Sequence, residues 1–489
     1  MRTYHYPGSS DLDRRAFLRL SGLGAGALLT GGITMGSSLA AAPAPRPQAT
    51  ADSVIFIFMG GGQSPTETWD PKRYTPFEKG MKAADVHATF PSIPTSADGV
   101  RISKYLEKTA KVMHHGAIVS SFQPGFLGVP IHVRHIYHLH TGYTPPQTVA
   151  APAMGSIVAR ALGPRHPEVP AFVDIGQRLD IPMLTAEVAA AHSPGFLGSA
   201  YGPFAIPNPE TAALAVRPPA GMSRERFEER FRRLEALNEQ RAAAQDEPRH
   251  RDELREAVEG ARRLLHSPAA AALDLSREPR AAAAPYSTGK FGQGCLLARR
   301  LIEAGVRFVE VAYEYEQFKS WDTHDDGHRR YAAMKKEIDG PLAQLIRDLE
   351  ARKLLSRTLV VVASEFGRSM LVEGISNDPD PQRREYLERT SAPIPNVLTS
   401  EKNYGLHRHF SGAGSVVLFG GGIRGGIRYG ATSDEPPFDI VDKPVSMANL
   451  HATIYHALGI PANLSYEVEG RPFFVTPDGK GKPVVELFA

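Results

Sequence analysis

The sequence predicts an α/β protein, a three-layer sandwich in which helices cover both faces of a mainly parallel central sheet. Three observations predict this class: apolar runs of strand length recur, amphipathic helical patterns separate several of them, and polar loops follow the runs. The first run, Ser53–Met59, is continuously apolar and stops at Gly60–Gly62, as is typical of a buried central strand. The other predicted strands are 117–121, 171–176, 306–311, 358–363 and 415–419.

Helical patterns lie between and after these strands. Amphipathic spacing predicts helices over 291–304, 329–352 and 446–458. A segment rich in Arg, Glu and Ala, at about 220–280, places Phe227, Phe231 and Leu234 at helical spacing. Because its other positions are mostly charged, we interpret it as a helical insertion with a solvated face and assign it no chemistry.

Composition limits the function classes. The chain has 489 residues, 42% hydrophobic and 22% charged, with a net charge of only +3. No basic run is interleaved with aromatic residues, so nucleic acid binding is not expected. Cys295 is the single cysteine, which excludes an intramolecular disulfide and a thiolate-rich metal site. Any metal ion must therefore be held by His, Asp, Glu or hydroxyl groups.

The first residues indicate export. Arg14 and Arg15 precede Phe17–Leu18 and a weakly apolar stretch rich in Gly and Ala, which resembles a twin-arginine signal. We predict a signal peptide over 1–42, a linker over 43–52 and one α/β domain over 53–489. The expected partner is the twin-arginine export machinery, and the expected location is periplasmic or extracellular. No later apolar run is long enough to predict a transmembrane helix in the mature chain.

Potential ligands are densest in the stretch Ile131–Tyr143, IHVRHIYHLHTGY. Its four histidines are His132, His135, His138 and His140. In a strand, three of them, His132, His138 and His140, would share one face; in a helix, His132 and His135 would be neighbours and His140 would point elsewhere. Neither geometry brings all four to one ion, and hydrogen bonding within a polar wall is the competing interpretation.

Polar loops follow several predicted strands, where open α/β sheets place their ligands. These loops are Ser64–Asp70, Asp322–His328, Ser364–Arg368 and His407–His409. They offer the Asp, Glu and His mixture that suits zinc, manganese, magnesium or calcium, and such an ion could polarise a phosphoryl or sulfuryl oxygen. Arg134 and Arg368 could hold an oxyanion through two parallel hydrogen bonds.

Several motifs together resemble the exported bacterial family called domain of unknown function 1501, related to sulfatases and alkaline phosphatases. The resemblance covers nearly the whole chain. It implies an alkaline-phosphatase-like fold and no established reaction. The motifs are DRRAFLRL, GGGQSPTETWDP, FGQGCLLARRLIEAGVRFVEV, WDTH, LVVVASEFGRS, LFGGGIRGG with YGATSD, NLHATIYHALGI and GRP…GKPVVELF.

The resemblance implies roles for particular residues. WDTH gives Asp322 and His324 a metal or substrate role, and the Glu-Phe-Gly-Arg segment makes Glu365 a ligand. His409 matches a family histidine, but Arg408 replaces the family's neighbouring Asp, which puts metal binding there in doubt. With Asp70 from the first loop, the predicted metal ligands are Asp70, Asp322, His324, Glu365 and His409.

His132 stands where related sulfatases carry their nucleophile, ten residues before the Gly of Leu139–Gly142. No Ser, Thr or Cys occupies that place, and the sulfatase maturation pattern is absent, so a formylglycine sulfatase is not expected. The predicted catalytic residues are His132, Arg134 and Arg368. His132 would be a ligand, a general acid or base, or a nucleophile.

Two functions of different class follow. The first is a metal-dependent hydrolase of phosphate or sulfate esters, whose substrate is a small molecule or a polysaccharide. The second is a non-catalytic exported protein that binds a glycan or a surface complex on a degenerate hydrolase fold. The missing hydroxyl nucleophile and Arg408 favour the second, and the ligand-rich strand ends favour the first.

Overall fold

The computed structural model describes residues 46–489 except 126, 128–130, 146–147, 178–184, 218–220, 245–254, 256–258, 261, 266, 371–381, 383–395 and 406. The predicted signal peptide, 1–42, lies outside the described residues, as does the start of the linker. The domain limits therefore stay predictions.

Strands β1–β19 are, in chain order, Ser53–Met59, Met81–Lys82, Ser92–Pro94, Arg101–Ser103, Gly116–Gln123, Phe172–Ile175, Phe204–Ile206, Phe308–Tyr313, Thr358–Ala363, Gly367–Ser369, Val397–Leu398, Arg408–Phe410, Gly414–Phe419, Ile427–Tyr429, Ala431–Thr432, Ile440–Asp442, Val445–Ser446, Ser465–Val468 and Arg471–Phe474. The α-helices, numbered α1–α9, are Glu107–Ala110, His132–Thr141, Met154–Leu162, Thr185–Ala191, Arg224–Ala244, Arg280–Ala283, Lys290–Ala304, Gly327–Ala351 and Met447–Ala457.

One large sheet organises the described part of the chain. Its strand order is β14-β5-β13-β9-β1-β8-β6-β7, and β17 also pairs with β5. Strand β1 pairs in parallel with β8 and β9, and β8, β6 and β7 continue in parallel. Only β13 runs antiparallel to its neighbours in this sheet of the described residues, β5 and β9. The predicted mainly parallel sheet is confirmed.

Hydrophobic residues fill both faces of the sheet. Along β1, Ile55 and Ile57 join one core cluster, which includes apolar residues of α7 and α8. Phe56 and Phe58 join a second cluster, which includes residues of α2, α3 and α9. Burying each such side chain contributes about 1.5–3 kcal/mol. Because both faces of β1 are covered, every residue after Ser53 is apolar, and the two clusters confirm the three-layer arrangement.

The largest predicted elements agree closely with the structure. Strands β1 and β9 have the predicted bounds, and α7 and α8 begin within two residues of theirs. Helix α5, Arg224–Ala244, lies in the predicted helical insertion, where the Phe227 and Phe231 rings pack with centroids 4.9 Å apart. Among the described residues, no helix is both long and apolar enough to span a bilayer.

Candidate metal centre

Three loops converge because their strands are neighbours in the sheet. Strand β1 lies between β8 and β9, and all three are parallel, so the loops after them leave the same edge. The loop after β8 carries Asp322 and His324, and Glu365 follows β9. Gly61, after β1, lies between them and donates its backbone N–H to Glu365 Oε1 at 2.9 Å.

Gly61 allows these loops to approach each other. Its φ is +119°, a backbone conformation that residues other than glycine rarely adopt. A Cβ at this position would also lie only 2.4 Å from the backbone nitrogen of Asp322. A side chain at this position would therefore separate the loop that carries Asp322 from the first strand.

His132 is the first residue of α2, so the histidine stretch is helical. Its Nδ1 lies 2.6 Å from Glu365 Oε1, and its Nε2 lies 3.1 Å from Asp322 Oδ1. The imidazole packs between the rings of Tyr315 and Phe366, with centroid distances of 4.7 and 4.8 Å. These contacts fix both the position and the plane of the His132 ring.

Asp322 lies near three histidines, His132, His324 and His409. Its Oδ1 lies 2.8 Å from His324 Nε2 and 3.8 Å from His409 Nε2. Its Oδ2 accepts a hydrogen bond from the Phe318 backbone N–H at 2.7 Å. The intervening loop turns sharply, since Phe318 and Ser320 both have positive φ values, 61° and 49°. Such residues cost about 1–3 kcal/mol each, which the surrounding contacts must offset.

His409 lies in β12, which pairs antiparallel with β10, and it is directly opposite Arg368 in that pair. Its Nε2 lies 3.0 Å from His132 Nε2, and its ring meets that of His324 at 4.9 Å. The His324 side chain is 35% exposed, that of His409 15% and that of His132 7%. Solvent therefore reaches the cluster from the side of His324.

Arg368 lies directly behind the cluster and is fully buried. Its guanidinium donates to the carbonyls of Gly61 at 2.8 Å, Thr323 at 3.1 Å and His407 at 3.3 Å. Its Nη2 also contacts Asp322 Oδ1 and lies 3.3 Å from His132 Nε2. The guanidinium thus ties three loops together, and protein groups occupy its donors.

Both carboxylates are held in the charged form. Burial alone raises the pKa of Glu365, but the hydrogen bond and charge of His132 outweigh burial, so the pKa lies below its ordinary value. Burial acts in the same way on Asp322, and its hydrogen bonds to His132, His324 and His409 bring the pKa far below the ordinary range. The cluster therefore presents two negative charges at neutral pH.

The lowered pKa of Glu365 predicts a pH-dependent contribution to stability. A carboxyl whose folded-state pKa is depressed stabilises the fold above its unfolded pKa, about 4.3, and this contribution disappears as the pH falls through the folded value. We expect wild type to exceed Glu365→Gln in free energy of unfolding at pH 7, and the difference to narrow below about pH 4. Urea titrations across this range measure it; a constant difference would contradict the assignment.

The comparison that decides the family is a match over nearly the whole described chain. A family model described as "Protein of unknown function (DUF1501)" matches residues 51–488. The chain belongs to the DUF1501 family. The resemblance carried by the sequence motifs is thereby confirmed. Among curated proteins, none matches this sequence.

Three solved structures illustrate what this DUF1501 protein is similar to. The lipoteichoic acid synthase LtaP from Listeria monocytogenes is 9% identical, with a TM-score of 0.35 over 89% of this chain and 76% of that one. An alkaline phosphatase superfamily protein from Vibrio parahaemolyticus is 9% identical, with a TM-score of 0.36 over 85% and 69%. Ps i-CgsB in complex with k-i-k-neocarrahexaose is 12% identical, with a TM-score of 0.34 over 87% and 73%. Likeness this distant does not bear on the activity of this chain.

Most of the predicted site residues of the DUF1501 protein come together. The ligand atoms of His132, Asp322, His324 and His409 lie within 4.8 Å of one another, and this set is called the outer cluster below. Glu365 and Arg368 contact its members from behind.

Two predicted residues lie elsewhere. Asp70, a predicted ligand, is not in the outer cluster: its carboxylate pairs with Arg428 at 3.1 Å and Lys72 at 3.2 Å and accepts from Thr432 at 2.5 Å. The first loop turns Asp70 toward these groups, which already balance its charge. Arg134 lies on the exposed face of α2, away from the buried histidine of the same turn.

The donor atoms of the outer cluster fit a divalent cation. Because ionised Glu365 can only accept a hydrogen bond, His132 Nδ1 carries a proton, and Nε2 is the ring nitrogen directed into the outer cluster. His132 Nε2 lies 3.1 Å from Asp322 Oδ1 and 3.3 Å from Arg368 Nη2, so a proton on Nε2, the Arg368 guanidinium or a bound cation satisfies these two acceptors. A carboxylate behind a ligating histidine is the usual support of zinc-type sites.

Sequence reasoning missed the groups that shape the outer cluster. Tyr315 and Phe366 hold the His132 ring, and Phe318, which is 60% exposed, meets the His324 ring at 5.2 Å. Tyr315 and Phe318 lie between the end of β8 and the WDTH motif, and this closeness to the motif is the sequence feature that could have identified them as site residues. Their orientations depend on positive-φ turns that the sequence does not mark with glycine.

Proposed function

We propose that this DUF1501 protein is an exported, metal-dependent hydrolase of phosphate or sulfate esters that lacks the Ser, Thr or Cys nucleophile of related enzymes. One observation carries the proposal. Three histidine nitrogens and one carboxylate oxygen face one another at the carboxyl edge of the sheet, with His324 open to solvent. In this proposal, the twin-arginine machinery exports the chain, and the substrate is a small-molecule or polysaccharide ester.

The ligands in this proposal are His132, Asp322, His324 and His409. A divalent cation held by them, zinc, manganese, calcium or magnesium, would polarise the ester oxygen and lower the pKa of water. Glu365 accepts a hydrogen bond from His132 Nδ1, which keeps Nε2 directed into the outer cluster. Arg368 is a positioning residue, because its donors are engaged by Asp322 and by backbone carbonyls.

The entrance supports an anionic ester as substrate. His324 and His409 are the most exposed members of the outer cluster, so they are placed to meet the ester and the attacking water first. Phe318 offers an exposed aromatic ring beside His324, suited to an apolar or sugar face of the substrate. We assign nucleophilic attack to water, since His132 stands where a hydroxyl nucleophile would be.

The chelation experiment tests this proposal. Purified chain treated with a chelator should lose hydrolysis of 4-nitrophenyl phosphate, bis(4-nitrophenyl) phosphate or 4-nitrophenyl sulfate, and one of the four ions should restore it. Asp322→Asn should prevent the restoration, because it removes the only ligand charge in the outer cluster. The exposed Asp325→Asn is the matched control, three residues away, and should respond as wild type does.

A second class of function is favoured by the same missing hydroxyl. A non-catalytic exported protein that binds a glycan or a surface complex would use the fold without turnover. Wild type that binds a sulfated or phosphorylated glycan, yet hydrolyses none of the three esters with any of the four ions, would replace the hydrolase proposal with this one.

A further inference from the structure

A second cluster of ionisable side chains is buried inside the domain. It consists of His140, Asp174, His192 and Glu310, called the inner quartet below, and each member is at most 3% exposed. His140 lies in α2, eight residues after His132, so the inner quartet lies about 12 Å further along the helix axis. The four groups take no part in the proposed hydrolysis.

The two carboxylates come from adjacent strands. Asp174 in β6 and Glu310 in β8 are register partners in a parallel pair, so their side chains leave the same face of the sheet side by side. The surroundings are apolar: the Phe58 ring meets His140 at 4.9 Å, and Phe308 precedes Glu310 by two positions on the same face. Two neighbouring carboxylates in such surroundings require either a bound proton or a compensating positive charge, and burial and the Glu310 charge raise the pKa of Asp174.

The histidines approach these carboxylates at ligand-like distances. His140 Nε2 lies 2.8 Å from Glu310 Oε1. His192 Nδ1 lies 3.0 Å from Asp174 Oδ2 and 3.6 Å from Glu310 Oε1. The nitrogen and oxygen atoms of His140, His192 and Glu310 lie within 4.8 Å of one another. These separations resemble those between the ligands of a single small cation.

The protonation of His140 is fixed from behind. Its Nδ1 faces the Ile136 backbone carbonyl at 2.8 Å, and a carbonyl oxygen only accepts, so Nδ1 carries the proton. A neutral His140 then directs its Nε2 lone pair at Glu310 Oε1, which is itself an acceptor. Either a second proton on Nε2 or a bound cation therefore lies between these two atoms.

Four polar atoms of the inner quartet make no hydrogen bond of good geometry among the described residues: both carboxylate oxygens of Asp174 and both ring nitrogens of His192. His192 Nδ1 and Asp174 Oδ2 still form an ion pair at 3.0 Å, so His192 Nε2 and Asp174 Oδ1 are the two atoms without a partner in the part of the chain that the structure describes. Buried polar atoms without partners cost about 1–3 kcal/mol each, so native proteins rarely retain them without a bound group. These atoms point to a ligand in the inner quartet.

We propose that the inner quartet is a second divalent-cation site, of zinc type, with His140 Nε2, His192 Nδ1, Glu310 Oε1 and an Asp174 oxygen as its ligands. Two imidazoles and two carboxylates match the preference of Zn²⁺ and similar ions, and full burial is typical of closed structural sites. The site joins β6 and β8 to α2 and to the residue after α4. It therefore fixes the helix whose first residue is His132, whether or not the chain is a hydrolase.

The test uses the full chain with the outer cluster disabled. The double variant His324→Ala, His409→Ala removes two outer ligands and keeps the buried Asp322–Arg368 pair, and it should still retain about one equivalent of Zn²⁺ per chain after unfolding in chelator, refolding with Zn²⁺ and dialysis. Refolding with Co²⁺ should give the absorption of a four-coordinate nitrogen and oxygen site. Adding Glu310→Gln should remove the retained metal, whereas adding His451→Gln, another fully buried histidine outside both clusters, should not.

Two results would overturn the proposal. One is a double variant that refolds with no bound Zn²⁺ and no Co²⁺ absorption, which would leave the inner quartet as a set of ion pairs. The other is metal retained undiminished after Glu310→Gln in a folded protein. The double variant does not touch the inner quartet, so its result stands even if Glu310→Gln fails to fold. Absence of ester hydrolysis would contradict only the proposed function and would leave the second cation site unaffected.

Discussion

Alanine in place of His132 is expected to lower kcat/KM for ester hydrolysis by about 10²–10⁴-fold and to reduce the metal held by the outer cluster. The physical reason is that the His132 imidazole contacts two buried carboxylates, those of Asp322 and Glu365. Its Nε2 faces the Asp322 carboxylate, and its Nδ1 is bound by Glu365. Removing the ring deletes a ligand and leaves a buried carboxylate without its partner. Steady-state kinetics with metal analysis of the same preparations measure both effects.

The matched control lies on the same helix. His138→Ala changes a histidine of α2 that is outside the outer cluster, and it should retain wild-type kcat/KM and metal content. Because His132→Ala could also weaken folding, thermal unfolding of both variants should accompany the assays. A folded His132→Ala protein with undiminished turnover would refute the proposed role of His132.

The second large effect is on stability. Arg368→Met is expected to lower the free energy of unfolding by about 3–5 kcal/mol, the usual cost of removing one partner from a buried charged pair. The substitution leaves the Asp322 carboxylate without its cation and deprives the Gly61, Thr323 and His407 carbonyls of a donor. Urea unfolding at pH 7 gives the value directly.

Arg134→Met provides the comparison on an exposed arginine. Surface substitutions usually change stability by less than about 0.5 kcal/mol, and Arg134 is on the outer face of α2. If Arg368 instead held the substrate oxyanion, Arg368→Met would raise KM strongly while the unfolding free energy stayed near wild type. That pattern would contradict the positioning role.

The sequence could predict the sheet because buried parallel strands leave a plain signal. Ser53–Met59 and Thr358–Ala363 are buried at every position and apolar at every position after the first, since both of their faces are covered. The same logic placed ligand-rich loops at the strand ends, which brought Asp322, His324 and Glu365 into one prediction. The matching of His409 rested on the family resemblance, because its strand is only three residues long.

Other features could not be read from the chain. Asp70 is turned away by Arg428, a partner 358 positions along the sequence that no local pattern connects to it. The helical or extended state of the histidine stretch stayed open because both periods fit it. Asp174 and Glu310 were overlooked although each is a lone acid within an apolar run, which is the signal that would have found the inner quartet.

Helix α2 carries His132 at its first residue and His140 in its last turn. The two positions are about 12 Å apart along the axis and about 80° apart around it. A short helix moves as one rigid body, so any rotation that repositions one imidazole repositions the other. If both proposed ions bind, any factor by which the inner ion changes affinity at the outer cluster must equal the factor by which the outer ion changes affinity at the inner quartet.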